Sequence, residues 1–128
     1  HVVGLNDTNG DLLWVYHGEN QLWNFEPMFT EDDSFVWQDQ LGGVFRTAID
    51  GRLIWRSGYS GPWGEVWTDG MIMLADNRVY AAHAGHRRNP LEAHAGGDLS
   101  VYSLEDGKLL WRKPYAYPPN QQPTVGPL

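Results

Sequence analysis

The chain has 128 residues, 41% of them hydrophobic, enough for about one domain with its own core. A net charge of −7 leaves no basic face for nucleic acid, since the only dense cationic spot is the His-Arg-Arg run at 86–88. No apolar run of about 18 residues is present to span a bilayer, and the absence of cysteine rules out disulfides, thiolate nucleophiles and cysteine-based zinc sites.

Seven Trp, fifteen Gly and eight Pro accompany short β-branched or aromatic runs set between turn signals. Helical periodicity is hard to find, so the predicted class is all-β. Three windows recur along the chain: GLNDTNGDLLW at 4–14, FRTAIDGRLIW at 45–55 and VYSLEDGKLLW at 101–111. Each ends in tryptophan (Trp14, Trp55, Trp111), and each holds glycine at its seventh position (Gly10, Gly51, Gly107). The residue before that glycine is Asn9, Asp50 or Asp106, and Asx-Gly pairs favour a two-residue type I′ hairpin with positive φ at both centres. Each window therefore reads as strand, tight turn, strand. Asn6, Thr47 and Ser103 at the third position are placed to bond turn backbone. The paired aliphatics before each tryptophan are expected to bury both faces of the outgoing strand.

In chain order the windows imply two strands of an incomplete unit over 1–18, and then a four-stranded unit over 19–59. The strands of the latter are PMFT, SFVWQD, GVFRTAI and RLIWRSG. A second four-stranded unit covers 60–115 with MIMLA, RVYAAHA, DLSVYSL and KLLWRK, and QPTVGPL within 116–128 reads as the first strand of a following unit. A repeat near 40 residues with four strands per unit indicates propeller blades, so the expected fold is a β-propeller arc of four-stranded antiparallel blades. Under three blades cannot close a ring of about 4–8. The expectation is therefore that the chain is part of a longer propeller, or completes itself against another subunit.

The windows resemble the tryptophan-docking repeat of quinoprotein-type propellers, the pyrroloquinoline-quinone (PQQ) repeat family, whose pattern is similar to Ala-x-Asp-x-x-Thr-Gly-x-x-x-Trp. The resemblance implies that Trp14, Trp55 and Trp111 pack between adjacent blades, supported by Gly10, Gly51 and Gly107. The first positions depart from it, with Gly4, Phe45 and Val101 at the Ala site and Asn6, Thr47 and Ser103 at the Asp site.

Strand parity puts the loops between second and third strands on the same rim as the links between blades. Trp14 to Trp55 is 41 positions and Trp55 to Trp111 is 56, and most of the excess lies in the loop GHRRNPLEAHAGG. That loop joins the link YSGPWGEVWTDG on one rim, where long loops on a rigid scaffold carry function. The candidate binding rim is Tyr59, Trp63, Trp67, His83, His86, Arg87, Arg88 and His94. His83, His86 and His94, with Glu92 nearby, are the only candidate metal ligands, without the i, i+4 spacing of a helical metal motif. Arg87 and Arg88 suit a carboxylate or an acidic partner. Tyr59, Trp63 and Trp67 suit either a stacked ring or a plug between blades, and Trp23 and Trp37 suit packing. The acidic TEDDS turn at 30–34 lacks the glycine-bent spacing of a calcium loop and reads as a solvated turn on the opposite rim.

Three functions remain open. The first is a non-catalytic scaffold or ligand- and partner-binding module, with no cofactor in this segment and no assignable catalytic residue. Its partners would be the remaining blades, a neighbouring subunit, or a protein or small molecule on the rim. The second, implied by the resemblance, is a segment of a PQQ- and calcium-dependent alcohol or sugar dehydrogenase. The third is a carbohydrate-binding propeller. The resemblance further implies an extracytoplasmic setting, periplasmic or secreted.

Overall fold

The structure, a computed structural model, describes residues 1–59, 68, 71–84, 96–117, 119 and 122–126. These residues contain ten strands and no helix. Strands β1 (Val2–Leu5) and β2 (Leu12–Tyr16) pair as a two-stranded sheet. Strands β3 (Met28–Phe29), β4 (Ser34–Gln38), β5 (Gly43–Ala48) and β6 (Leu53–Gly58) form a second sheet in sequential order. Strands β7 (Ile72–Ala75), β8 (Arg78–Ala84), β9 (Gly97–Ser103) and β10 (Leu109–Tyr115) form a third. Every pairing is antiparallel.

The period-2 alternation of β4 explains how the sheets stack. Phe35 and Trp37 point one way, joining Val2, Phe45, Trp14 and Tyr16 in an apolar layer against the first sheet. Val36 points the other way, joining Val44, Trp55, Ile72, Val79, Ala81 and Tyr102 against the third. Both faces of β4 and β5 are covered, so all their residues are buried. Trp37 and Phe45 stack with ring centroids 4.2 Å apart, and each such side chain contributes roughly 2–3 kcal/mol by leaving water. Trp23 differs from its expected packing role: it is exposed.

The recurring turns are wider than the type I′ pairs expected of them. In the first and third windows, four residues separate Asn6 from Asp11 and Ser103 from Lys108, closed by N–H to carbonyl bonds of 2.8 and 2.9 Å. In the middle window, Ala48 N–H bonds the Arg52 carbonyl at 2.9 Å around a three-residue loop. Only the glycines take positive φ, at 78°, 88° and 71° for Gly10, Gly51 and Gly107. Asn9, Asp50 and Asp106 instead accept the backbone N–H two residues on, an Asx turn repeated in all three windows. A true two-residue hairpin occurs elsewhere: Ala75 pairs with Arg78, and the intervening Asp76 and Asn77 have φ of 50° and 56°. Of the third-position residues, Asn6 and Ser103 bond turn N–H groups, whereas Thr47 accepts the Trp37 indole N–H at 3.0 Å.

A register shift accompanies each turn. Gly4 opposes Trp14 while Leu5 opposes Leu12, leaving Leu13 as an extra residue; Ile54 and Leu110 are extra in the same way. Leu12 and Trp14 would share a face in a regular strand, and the bulge puts them on opposite faces. The aliphatic pairs consequently do not bury both faces of the strand. They are 38–61% exposed, while Trp14 and Trp55, which follow the first two pairs, are turned toward the next sheet.

There the two halves of the repeat meet across sheets. Trp14 donates its indole N–H to the Ile49 carbonyl at 2.7 Å, and Trp55 donates to the Leu104 carbonyl at 2.9 Å. A Cβ on Gly51 would lie 2.6 Å from Trp14 Cδ2, and one on Gly107 would lie 2.7 Å from Trp55 Cε3. No real Cβ contact is that short, so each indole lies on a surface that only glycine provides. Residues 122–126 make no strand; Gln122 instead donates to the Ile72 carbonyl at 2.9 Å.

Truncating Trp55 to Ala is expected to cost about 3–5 kcal/mol in urea denaturation. Gly107→Ala should cost at least about 2 kcal/mol, combining left-handed strain with the clash, whereas Gly10→Ala should cost only the strain of about 1 kcal/mol. Equal losses at the two glycines would show that the indole contact contributes nothing.

Candidate functional site on the loop rim

The loop between β4 and β5 holds the rim together. Gln40 N–H bonds the Gln21 carbonyl at 2.9 Å, Thr68 N–H bonds the Gln40 carbonyl at 3.0 Å, and Tyr59 N–H bonds the Gly42 carbonyl at 3.0 Å. One short loop thus ties down the chain before β3 and the chain after β6. Its shape comes from Asp39, 1% exposed, whose carboxylate accepts the N–H groups of Leu41 and Gly43 at 3.0 and 2.8 Å. Asn20 donates to its other oxygen at 2.8 Å. Burial pushes the Asp39 carboxyl above its usual pKa, against the pull of these hydrogen bonds.

Of the predicted rim residues, Tyr59 and His83 are described, and they meet. Their rings contact edge to face with centroids 4.9 Å apart, and both reach Asp98. The Tyr59 hydroxyl donates to Asp98 Oδ2 at 2.7 Å, and His83 Nδ1 lies 3.1 Å from Oδ1. Ser100 donates to Oδ1 at 2.6 Å and accepts from Arg112 Nε at 3.0 Å, while the Arg112 guanidinium sits over the Tyr59 ring at 4.6 Å. His83 Nε2 faces the Gly42 carbonyl at 3.3 Å, so each ring nitrogen has an acceptor. His83 is 1% exposed and internal. It occupies the cleft where Gly42, from the second sheet, approaches the third.

The electrostatics follow from these contacts. Burial alone would raise the Asp98 pKa, but hydrogen bonds from His83, Ser100 and Tyr59 outweigh it and hold the carboxyl down at about 2. Burial, and then the bond to Asp98, push the Tyr59 hydroxyl well above its usual value. The cluster is an ionised carboxylate enclosed by donors.

Asp98, Ser100, Arg112 and Asp39 were not among the residues singled out from sequence. Strand parity carries the signal for three of them: His83 opposes Asp98, Ser100 opposes Arg112, and Asp98 and Ser100 share a face two residues apart. Trp63, Trp67, His86, Arg87, Arg88, Glu92 and His94 lie outside the described residues. The TEDDS turn is more than solvated. Asp32 accepts from Thr30 at 2.6 Å and Ser34 at 2.9 Å and pairs with the buried Arg46, whose guanidinium also bonds the Leu104 carbonyl at 2.8 Å. Those bonds, that from Thr30 foremost, lower the Asp32 pKa to about 2. An open groove of about 610 Å³ between the second and third sheets runs past Asp32, Arg46, Leu74 and Leu104 on this opposite rim.

With that geometry in view, comparison with solved structures gives the class. A europium-containing methanol dehydrogenase matches 88% of this chain with a TM-score of 0.66 at 11% identity, and the match covers 20% of its own length. BamB from Moraxella catarrhalis matches 87% of the chain at 16% identity with a TM-score of 0.49, over 42% of its own length. No protein-family model matches, and no curated protein does. The fold is an arc of a β-propeller built of four-stranded antiparallel blades, as the repeats led one to expect. The chain spans about a fifth of the length of the methanol dehydrogenase it matches.

Among the described residues, no three His, Asp or Glu side chains converge to hold a metal ion. Both oxygens of Asp98 and both nitrogens of His83 already face protein partners, so the described part of the rim supplies no calcium ligand set. Among the described residues, no helix is long and apolar enough to cross a membrane.

Asp98 titrates near 2 when folded against 3.8 ordinarily, so its contribution is present above pH 3.8 and is lost as pH falls toward 2. Over that window the chain should lose about 2 kcal/mol from this group, and Asp98→Asn should flatten that part of the stability profile. Tyr59→Phe should cost about 1–2 kcal/mol and move the Asp98 titration, followed by carboxyl NMR shifts, upward toward 3.8.

Proposed function

We propose that this chain is part of a PQQ-like propeller acting as a non-catalytic scaffold or partner-binding module. The observation that supports this is how the described rim residues are used. Tyr59, His83, Asp98, Ser100 and Arg112 bond one another and the Gly42 carbonyl, joining neighbouring sheets and leaving no free base or nucleophile in the set. In this reading Trp14, Trp55 and Trp111 are docking residues wedged between blades, with Gly10, Gly51 and Gly107 as their seats. Residues 1–18 are the outer strands of one blade, 19–59 and 60–115 are complete blades, and 116–128 begin another. Partners are the remaining blades of the same propeller or a neighbouring subunit, and a protein or small-molecule ligand held by the long loops of the rim. Nucleic acid is not among them, and the setting is extracytoplasmic.

The dehydrogenase reading would need PQQ and calcium, the quinone supplying the two-electron chemistry when bound. The chain, incubated with PQQ and calcium and then desalted, should retain no quinone absorbance and reduce no acceptor dye when alcohol or sugar is added. Stoichiometric, calcium-dependent quinone retention would replace the scaffold reading with the dehydrogenase one.

A further inference from the structure

The groove of about 610 Å³ on the rim opposite the long loops lies between the two four-stranded sheets, and its walls are held at a fixed separation. On the second sheet, the Asp33 carbonyl accepts the Ile49 N–H at 3.0 Å, tying two neighbouring turns together. On the third, the Asn77 carbonyl accepts the Leu104 N–H at 2.9 Å in the same way. Arg46 spans the gap, donating to Ser34 and Asp32 on its own sheet and to the Leu104 carbonyl on the other. The groove is therefore preformed, and an occupant does not have to reorder its walls.

The lining decides what fits. Leu74, Ala75 and Leu104 are half-buried and give an apolar floor. Around it stand Glu31, Asp76 and Glu105, all exposed, together with Arg78. Arg46 draws no anion, because each of its nitrogens already donates to an acceptor and Asp32 neutralises it. Among the described residues, Glu31, Asp76, Glu105 and Arg78 form no ion pair, so three free carboxylates face one guanidinium. Nor do these carboxylates converge closely enough to hold a metal ion. Negative charge spread along an apolar trough matches a ligand whose positive charges are likewise spaced and joined by apolar segments. A purely apolar ligand would strip water from the acids without replacing its hydrogen bonds.

We propose that the groove holds an extended segment of a partner protein in which lysine or arginine alternates with aliphatic residues. The aliphatic side chains and the stems of the cations lie on Leu74, Ala75 and Leu104, and the charged heads reach Glu31, Asp76 and Glu105. The contact weakens in salt, because its charges are exposed. The long loops lie on the other rim, so this site stands apart from any partner held there.

Fluorescence anisotropy with a labelled hexapeptide alternating lysine and leucine tests the proposal. Binding should saturate at one peptide per chain and weaken as salt is added. Glu31→Gln combined with Glu105→Gln should weaken it about tenfold, the worth of two exposed ion pairs, without lowering the urea midpoint. Glu26→Gln combined with Asp7→Asn removes as much charge from exposed positions outside the groove and should leave the affinity within about twofold. Serine in place of leucine in the peptide should also cost about tenfold, by losing the apolar floor. The absence of saturable binding overturns the proposal. So does an equal loss in the two double variants, which would mean attraction by net charge alone, and so does a serine peptide that binds as tightly as the leucine one. Calcium-dependent quinone retention, which would displace the scaffold reading, changes none of these readouts.

Discussion

An indole ring can lie flat on a turn and hydrogen-bond through it only where the turn carries no β-carbon. That constraint shapes the stacking of these sheets. The left-handed glycine of one repeat opens the surface, the tryptophan of the preceding repeat covers it, and the indole N–H donates to a carbonyl of the same turn. The bulge before each tryptophan belongs to the same device, because without it the ring and the first aliphatic residue would share a face.

The charged groups that join the sheets at the two rims, Arg46 and Asp98, are each enclosed by partners. Arg46 reaches Asp32, Ser34 and the Leu104 carbonyl, and Leu104 also receives the Trp55 indole, so one carbonyl joins a charged pair to an apolar wedge. On the other rim, Asp98 gathers Tyr59, His83 and Ser100. Removing one member leaves a buried charge or dipole short of a bond, which costs more than the bond contributed. Such clusters join neighbouring sheets at both rims while the apolar layers hold the middle. The rim residues therefore fix inter-sheet geometry.

Much of this was legible in the residues. The three windows gave the hairpins, the four-strand units and the propeller arc, because local turn chemistry and period-2 patterning need no long-range information. The turn type was misjudged for a local reason: Asx-Gly serves equally a two-residue type I′ turn or an Asx turn ending in a left-handed glycine, and loop length decides between them. The aliphatic pairs look buried in the sequence because a one-residue bulge is invisible in an alternating pattern. His83 reads from the sequence as a possible ligand on a rim; the cluster it joins with Asp98, Ser100 and Arg112 is not legible there, since cross-strand opposition matters only once register is known.

The sequence by itself determined the repeat, the strand order and the identity of the residues at each turn, all set by neighbours a few positions apart. Only the tertiary structure decided which faces meet, because register, bulges and the stacking of one sheet on the next are fixed by packing between segments 35 to 58 positions distant. It was that packing that made His83 an interior hydrogen-bonding group and made Asp32 the partner of a buried arginine.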